Sequence, residues 1–272
     1  MDRITGFLGR RNLIKAIGAA GVGYAASVAC TSKTSSSSNP VAALPTATNS
    51  PTAEVPLAID KRPEAKDLTP DQALKILMDG NQRFVEGKTA HPRTTKDRVI
   101  QTSSGQYPFV SFLGCADSRV PVETVFDQGI GDCFVCRLAG NLATPEAIGS
   151  LEFGTLVLGS KVILVLGHQA CGAITTAMGR LDEPNIDLKD LGAIPSLVPY
   201  LSASVEQIQA KVKKDGVEKH PDEVAETVKA NAIIQAAALA KSSILSKLVA
   251  QGNLKIIPAY YSISSGTVTL LS

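Results

Sequence analysis

Phe109-Val-Ser-Phe-Leu-Gly114 runs straight into Cys115-Ala-Asp117-Ser-Arg119, and Val162-Ile-Leu-Val-Leu-Gly167 runs straight into His168-Gln-Ala-Cys171. Each apolar run is short, rich in β-branched and aromatic residues, and closed by glycine, which is the pattern of a buried strand. Similar runs near 133–137 and 255–259 alternate with stretches of helical periodicity. That alternation predicts an α/β fold, a mainly parallel central sheet flanked by helices. In both quoted stretches the polar residues follow the carboxyl end of the strand, where open α/β sheets bind their ligands.

Those residues offer two thiols, Cys115 and Cys171, and one imidazole, His168. Sulfur and imidazole nitrogen are the usual zinc donors. Structural sites close with four such ligands, whereas catalytic ones keep a position open. Three strong donors plus the ambiguous Asp117 therefore point to a metal that does chemistry. Cys171-Gly172 also opens a helix predicted to run through Met178, and a helix N-terminus favours the thiolate form. The plainer alternative is a small buried cysteine and a satisfied core histidine. The shared placement of both sets at strand ends favours the metal.

These residues resemble the β-class carbonic anhydrases. The likeness continues through Val120-Pro121, Phe126-Asp-Gln-Gly129, Gly131-Asp132, Phe134-Val135, Arg137, Ala139-Gly-Asn141, Gly149-Ser-Leu-Glu-Phe153, Leu254-Lys-Ile-Ile257 and Tyr260-Tyr261. It covers roughly Leu68 to the C-terminus. The resemblance implies a Zn2+ enzyme, carbonate dehydratase, that reversibly hydrates carbon dioxide to bicarbonate and a proton. Cys115, His168 and Cys171 would hold the metal, and Asp117 would either orient the nucleophile beside Arg119 or close the site as a fourth ligand. Gln106 would donate a hydrogen bond to substrate or product. Phe134, Phe153 and the backbone of Gly172 would line the substrate pocket, with Phe153 standing where some relatives carry tyrosine. Phe112 stands where a bicarbonate-regulated branch carries tryptophan, which weakens the case for that regulation here. The resemblance further implies a homodimer or higher homo-oligomer with the site near the subunit interface. Two thiolate ligands should make water less acidic than three histidines do, so activity is expected to favour higher pH. The remaining histidines, His91 and His220, fall in no matched motif, and no proton shuttle is assigned.

Composition sets the surroundings. The 272 residues carry a formal charge of +2 with no dominant basic cluster and no tryptophan, which argues against a nucleic-acid surface. Five cysteines without regular spacing give no disulfide scaffold. Cys133-Phe-Val-Cys136 suggests redox or metal chemistry, but residues three apart in a strand point to opposite faces, so packing is the expected role. Residues 1–30 read as an export signal. Arg10-Arg11 with Leu13-Ile-Lys15 resembles a twin-arginine signal, followed by a weak apolar stretch too short to span a bilayer. Ala29 could end a cleavage site, or Cys30 could become a lipoprotein's anchored first residue. The lone cysteine ahead of a polar tether favours lipidation, although Ser27 departs from the usual leucine. Residues 31–66, rich in Ser, Thr and Pro, read as that tether, and 67–272 as the catalytic domain. The expected location is outside the cytoplasm, in the periplasm or on a membrane surface, or in a thylakoid lumen if the source is cyanobacterial.

Within the domain, Thr69-Pro70-Asp71 opens a helix whose apolar face is Leu74, Leu77, Met78 and Phe84. Residues 188–212 suggest a helical insertion and Pro221 to Ala250 one long amphipathic helix capped by Gly252. Tyr260 to Leu271 form a hairpin turning at Ser264-Ser-Gly266. Two other functions fit the same scaffold: hydrolysis of carbonyl sulfide or carbon disulfide, and a silent zinc- or bicarbonate-binding partner of a membrane complex. The complete ligand and Asp117–Arg119 set argues against silence.

Overall fold

A computed structural model of the chain describes residues 65–179, 192–215 and 222–272. The export signal, Cys30, most of the tether and His220 lie outside the described residues. Ala65–Asp67 form a 3-10 turn, and Ala65 is already buried, so the fold begins within the last two residues assigned to the tether.

Helix α1 (Pro70–Val85) starts as the sequence dictates. Thr69 Oγ1 accepts from Gln72 N–H while the Thr69 N–H donates to Gln72 Oε1, and Pro70 opens the first turn. Leu77 is fully buried, with Leu74, Met78 and Phe84 packed against the same core. Gly80 and Asn81 complete the contact. A Cβ on Gly80 would sit 1.9 Å from the Phe126 carbonyl oxygen, so only glycine lets the backbones approach. The Asn81 carboxamide donates to the carbonyls of Val125 and Gly266 and accepts from Val268 N–H.

A short helix α2 (Lys96–Gln101) leads to strand β1 (Val110–Gly114), then α3 (Val122–Val125), β2 (Cys133–Arg137) and α4 (Pro145–Glu152), which runs into a π-helical turn at Phe153–Val157. Strand β3 (Val162–His168) precedes α5 (Gly172–Ala177), α6 (Val198–Lys214), α7 (Glu223–Ala240), α8 (Ser243–Ala250), β4 (Lys255–Tyr261) and β5 (Val268–Leu270). The sheet order is β2-β1-β3-β4-β5, parallel except for the terminal antiparallel pair. The expected hairpin is therefore present.

Alternation along each strand feeds two cores. Val110, Phe112, Val162, Leu164 and Leu166 pack under α1 and α3, while Leu113, Ile163 and Val165 pack under α4, α7 and α8. Each fully buried Leu or Phe contributes about 1.5–3 kcal/mol relative to exposure. Cys133 packs against the first core and Cys136 against the second, and neither forms a disulfide, as strand geometry required.

The expected 221–250 helix is instead two helices, bent by 91° where α7 meets α8. Ser242 causes the break: its side chain turns back to accept from the amides of Ile244 and Leu245, capping a new helix. The helix within the predicted insertion starts at Val198, after a 3-10 turn, and ends at Lys214. Residues 188–191 and Pro221 lie outside the described residues.

Candidate metal centre

The strand order reverses at β1, which has β2 on one side and β3 on the other. Such a switch point leaves a crevice at the carboxyl ends of the two central strands. Cys115 is the first residue past β1, His168 is the last of β3, and Cys171 caps α5. Their ligand atoms lie within 4.8 Å of one another, and all three residues are buried.

The donor set fits a zinc ion on this structure's own terms. His168 Nδ1 lies 3.0 Å from the Gln169 carbonyl oxygen. A carbonyl only accepts, so Nδ1 carries the proton and Nε2 presents its lone pair. Nε2 is fully buried and has no hydrogen-bond partner among the described residues. Such an atom is costly unless a ligand meets it. Of the two thiols, Cys115 carries the anion. Cys171 donates to its sulfur, and that outweighs burial, with the Gly140 N–H adding to the same effect. The same pairing, with burial, pushes the Cys171 thiol up. A second negative sulfur here calls for a cation.

Beside the ligands, Arg119 grips Asp117 with a fork: Nε to Oδ1 at 2.9 Å and Nη2 to Oδ2 at 2.7 Å. The Arg119 amide adds a third donation to Oδ1. The guanidinium bond, above all, holds the Asp117 carboxyl at about 2, although burial opposes it. Oδ2 sits 3.8 Å from His168 Nε2, so the carboxylate borders the space between the ligands. Arg119 also donates to the Ala170 carbonyl at 3.1 Å. Ala170 holds φ 53°, an unusual backbone for a side chain with Cβ, of the kind that clusters at functional sites.

Sequence reasoning assigned no role to three further groups. Arg137, at the end of β2, donates from Nε to the Cys115 carbonyl at 2.8 Å and from Nη2 to the Asp117 carbonyl at 2.5 Å. Gly140 N–H donates to Cys115 Sγ at 3.3 Å. Asn231 and Gln235 of α7 meet the loop that carries Gly140. Only a charged residue closing a half-buried strand, and a Gly-Asn pair, marked the first two in the sequence.

Six of the nine expected site residues come together: Cys115, Asp117, Arg119, His168, Cys171 and, at the first position of α5, Gly172. Gln106, Phe134 and Phe153 do not. Phe134 pairs with Ser111, Phe153 packs on Phe134, and Gln106 is an exposed residue preceding β1. All three lie toward the amino end of β1, whose five residues separate the two ends by about 13 Å.

Comparison with known proteins agrees with this geometry. The family described as Carbonic anhydrase matches residues 110–268, more than half of the chain. Carbonic anhydrase 2 of Mycobacterium tuberculosis is 35% identical over 208 residues, covering 74% of this chain and 92% of that protein. Carbonic anhydrase of Mycolicibacterium smegmatis is 34% identical over 206 residues, covering 75% and 94%. A Coccomyxa β-carbonic anhydrase solved with acetazolamide superposes with a TM-score of 0.55 at 25% identity, covering 73% of this chain and 86% of that one. A tetrameric β-carbonic anhydrase of Sordaria macrospora shares the fold with a TM-score of 0.57 at 21% identity, covering 73% and 96%. With its ligand set at the switch point of a mainly parallel sheet, this chain belongs to the β class of carbonic anhydrases.

Proposed function

We propose that the crevice between β1 and β3 hydrates carbon dioxide reversibly to bicarbonate and a proton, with Cys115, His168 and Cys171 as zinc ligands. The observation that carries this is the orphaned, buried His168 Nε2 facing two thiols beside an ionised carboxylate. Bound there, zinc would supply Lewis acidity that lowers the pKa of the attacking water, less so with two thiolate ligands than with three histidines. Asp117 accepts a hydrogen bond from the attacking water at Oδ2 and aims its oxygen lone pair at carbon. The Arg119 fork fixes that acceptor and keeps it charged. Cys115 and His168 stand on strand ends, so the ligand spacing rests on the sheet rather than on a mobile loop. Water attack forms the carbon–oxygen bond, and the proton released leaves to solvent. Gly172 brings a backbone amide to the substrate oxygens.

Gln106, Phe134 and Phe153 act in a second copy of the chain, within a homo-oligomer. Three features support this. They are remote from the metal ligands of their own copy, and β2 is a sheet edge. Phe153, packed on Phe134 of that edge, is exposed, as are Leu156 and Val157 of the same turn and Tyr107 at 76%. An unpaired edge bordered by apolar surface suits association. Export through the twin-arginine-like signal and anchoring at Cys30 complete the reading and place the enzyme outside the cytoplasm.

Stopped-flow hydration by the zinc-loaded chain, with Cys171→Ser as control, tests the activity. Hydration that rises toward alkaline pH and collapses in the control is expected. A folded, zinc-bound protein with no hydration at any pH would overturn the proposal. Because Asp117 stays ionised above about 2, the alkaline rise belongs to another group.

A further inference from the structure

Helix α7 carries a polar stripe that the sheet and the metal ligands leave unexplained. Glu223, Thr227, Asn231 and Gln235 recur every fourth residue, and none is more than 4% exposed. Spacing of four stacks them along one face. Burying that many polar groups is costly unless each serves a partner. Thr227 closes on its own helix, donating to the Glu223 carbonyl. Asn231 and Gln235 reach outward instead.

Their bonds form a directed chain. Gln235 Oε1 accepts from the Ala143 amide at 2.8 Å, which fixes its Nε2 as the donor on the other side. Nε2 donates to the Tyr200 carbonyl at 2.9 Å and to Asn231 Oδ1 at 3.0 Å. With Oδ1 so engaged, Asn231 Nδ2 donates to the Gly140 carbonyl at 2.9 Å. The neighbouring Asn141 N–H closes a turn onto the Leu138 carbonyl at 2.9 Å. Gly140 occupies that turn at φ +86°, and a Cβ there would crowd Leu201, Ala173 and Leu142 at 3.2–3.3 Å. This backbone turns the Gly140 N–H toward Cys115 Sγ.

We infer that Asn231 and Gln235 are positioning residues, which hold the Leu138–Asn141 turn so that Gly140 N–H donates to the Cys115 sulfur and tempers that thiolate as a metal ligand. The inference rests on the reading of Cys115 as a zinc ligand. Two thiolates push electron density onto the metal and oppose the acidity that hydration needs. An amide aimed at one sulfur withdraws part of it, and groups that orient a ligand tune the metal behind it.

Cobalt(II) substitution reads this directly, because the sulfur-to-cobalt charge-transfer band reports thiolate donor strength. Asn231→Asp keeps the size but loses the donor to Gly140. Its band is expected at longer wavelength, with zinc affinity by chelator competition lower by about 10-fold or more. Gln235→Glu keeps the acceptor for Ala143 but loses the donors to Asn231 and Tyr200. It should shift the band the same way by less, and it decides the matter if Asn231→Asp fails to fold. A role in packing alone would lower Tm and leave the band in place. A folded variant with the parent's band and zinc affinity within about twofold would overturn the inference. Absence of any thiolate band in the parent would instead overturn Cys115 as a ligand, and the inference with it.

Discussion

Arg137 closes an edge strand, yet both of its bonds end on carbonyls of the Cys115–Asp117 turn. A planar fork meets two carbonyls at once, and lysine cannot reproduce that. Arg137→Gln is expected to lower kcat or zinc affinity about 10- to 100-fold, with Arg137→Lys restoring little. Stopped-flow hydration and zinc competition measure both, and a wild-type Arg137→Gln would remove the residue from the site. At this scale the sequence was most legible for groups whose chemistry is in their own side chain. Cys115, His168, Cys171, Asp117 and Arg119 could be named because thiols, imidazole and a spaced ion pair announce themselves. Arg137, Gly140 and Asn231 act through backbone groups, and no side-chain motif records where a carbonyl or an N–H will point.

The loop between α1 and α2 meets the end of α3 around one buried carboxylate. Asp127 accepts from the amides of Ala90 and His91 and from Arg83 Nε of α1. Burial pushes its carboxyl up, yet these donors together outweigh burial and hold it below the ordinary carboxylate value. A depressed folded value means stabilisation that is complete above the unfolded value and fades as pH falls through the folded one. The chain should therefore lose stability below about pH 4, and Asp127→Asn should be less stable at neutral pH with a flatter acid limb. Urea unfolding at pH 7, 4 and 3 tests this. Equal acid slopes in both proteins would refute it. Elements themselves were legible where a local rule acts. Thr69-Pro70 set the start of α1, and apolar runs set β1 and β3. The break between α7 and α8 was missed because unbroken helical periodicity hid a serine acting as a cap. The buried stripe of α7 was missed because polar residues in a helix ordinarily face solvent.

Across the whole molecule, the metal ligands and the residues Gln106, Phe134 and Phe153 lie at opposite ends of one sheet. On the proposed reading, a single copy carries two halves of a site that a second copy completes. Leu156→Asp with Val157→Asp places charge on the exposed apolar surface of the Phe153–Val157 turn without touching a metal ligand. The expected result is a smaller species by light scattering, with hydration reduced while zinc remains bound. Full activity in a demonstrated monomer would show that one copy suffices. The sequence by itself determined the α/β class, the three metal donors and the Asp117–Arg119 pair, because strand period, donor chemistry and short spacing are local properties. Only the tertiary structure decided that Nε2 faces the metal space, that Gly140 N–H meets sulfur, and that three expected pocket residues stand apart from it. Those are distances between segments remote in the chain, set by parallel register and helix packing, which no local stretch of sequence encodes.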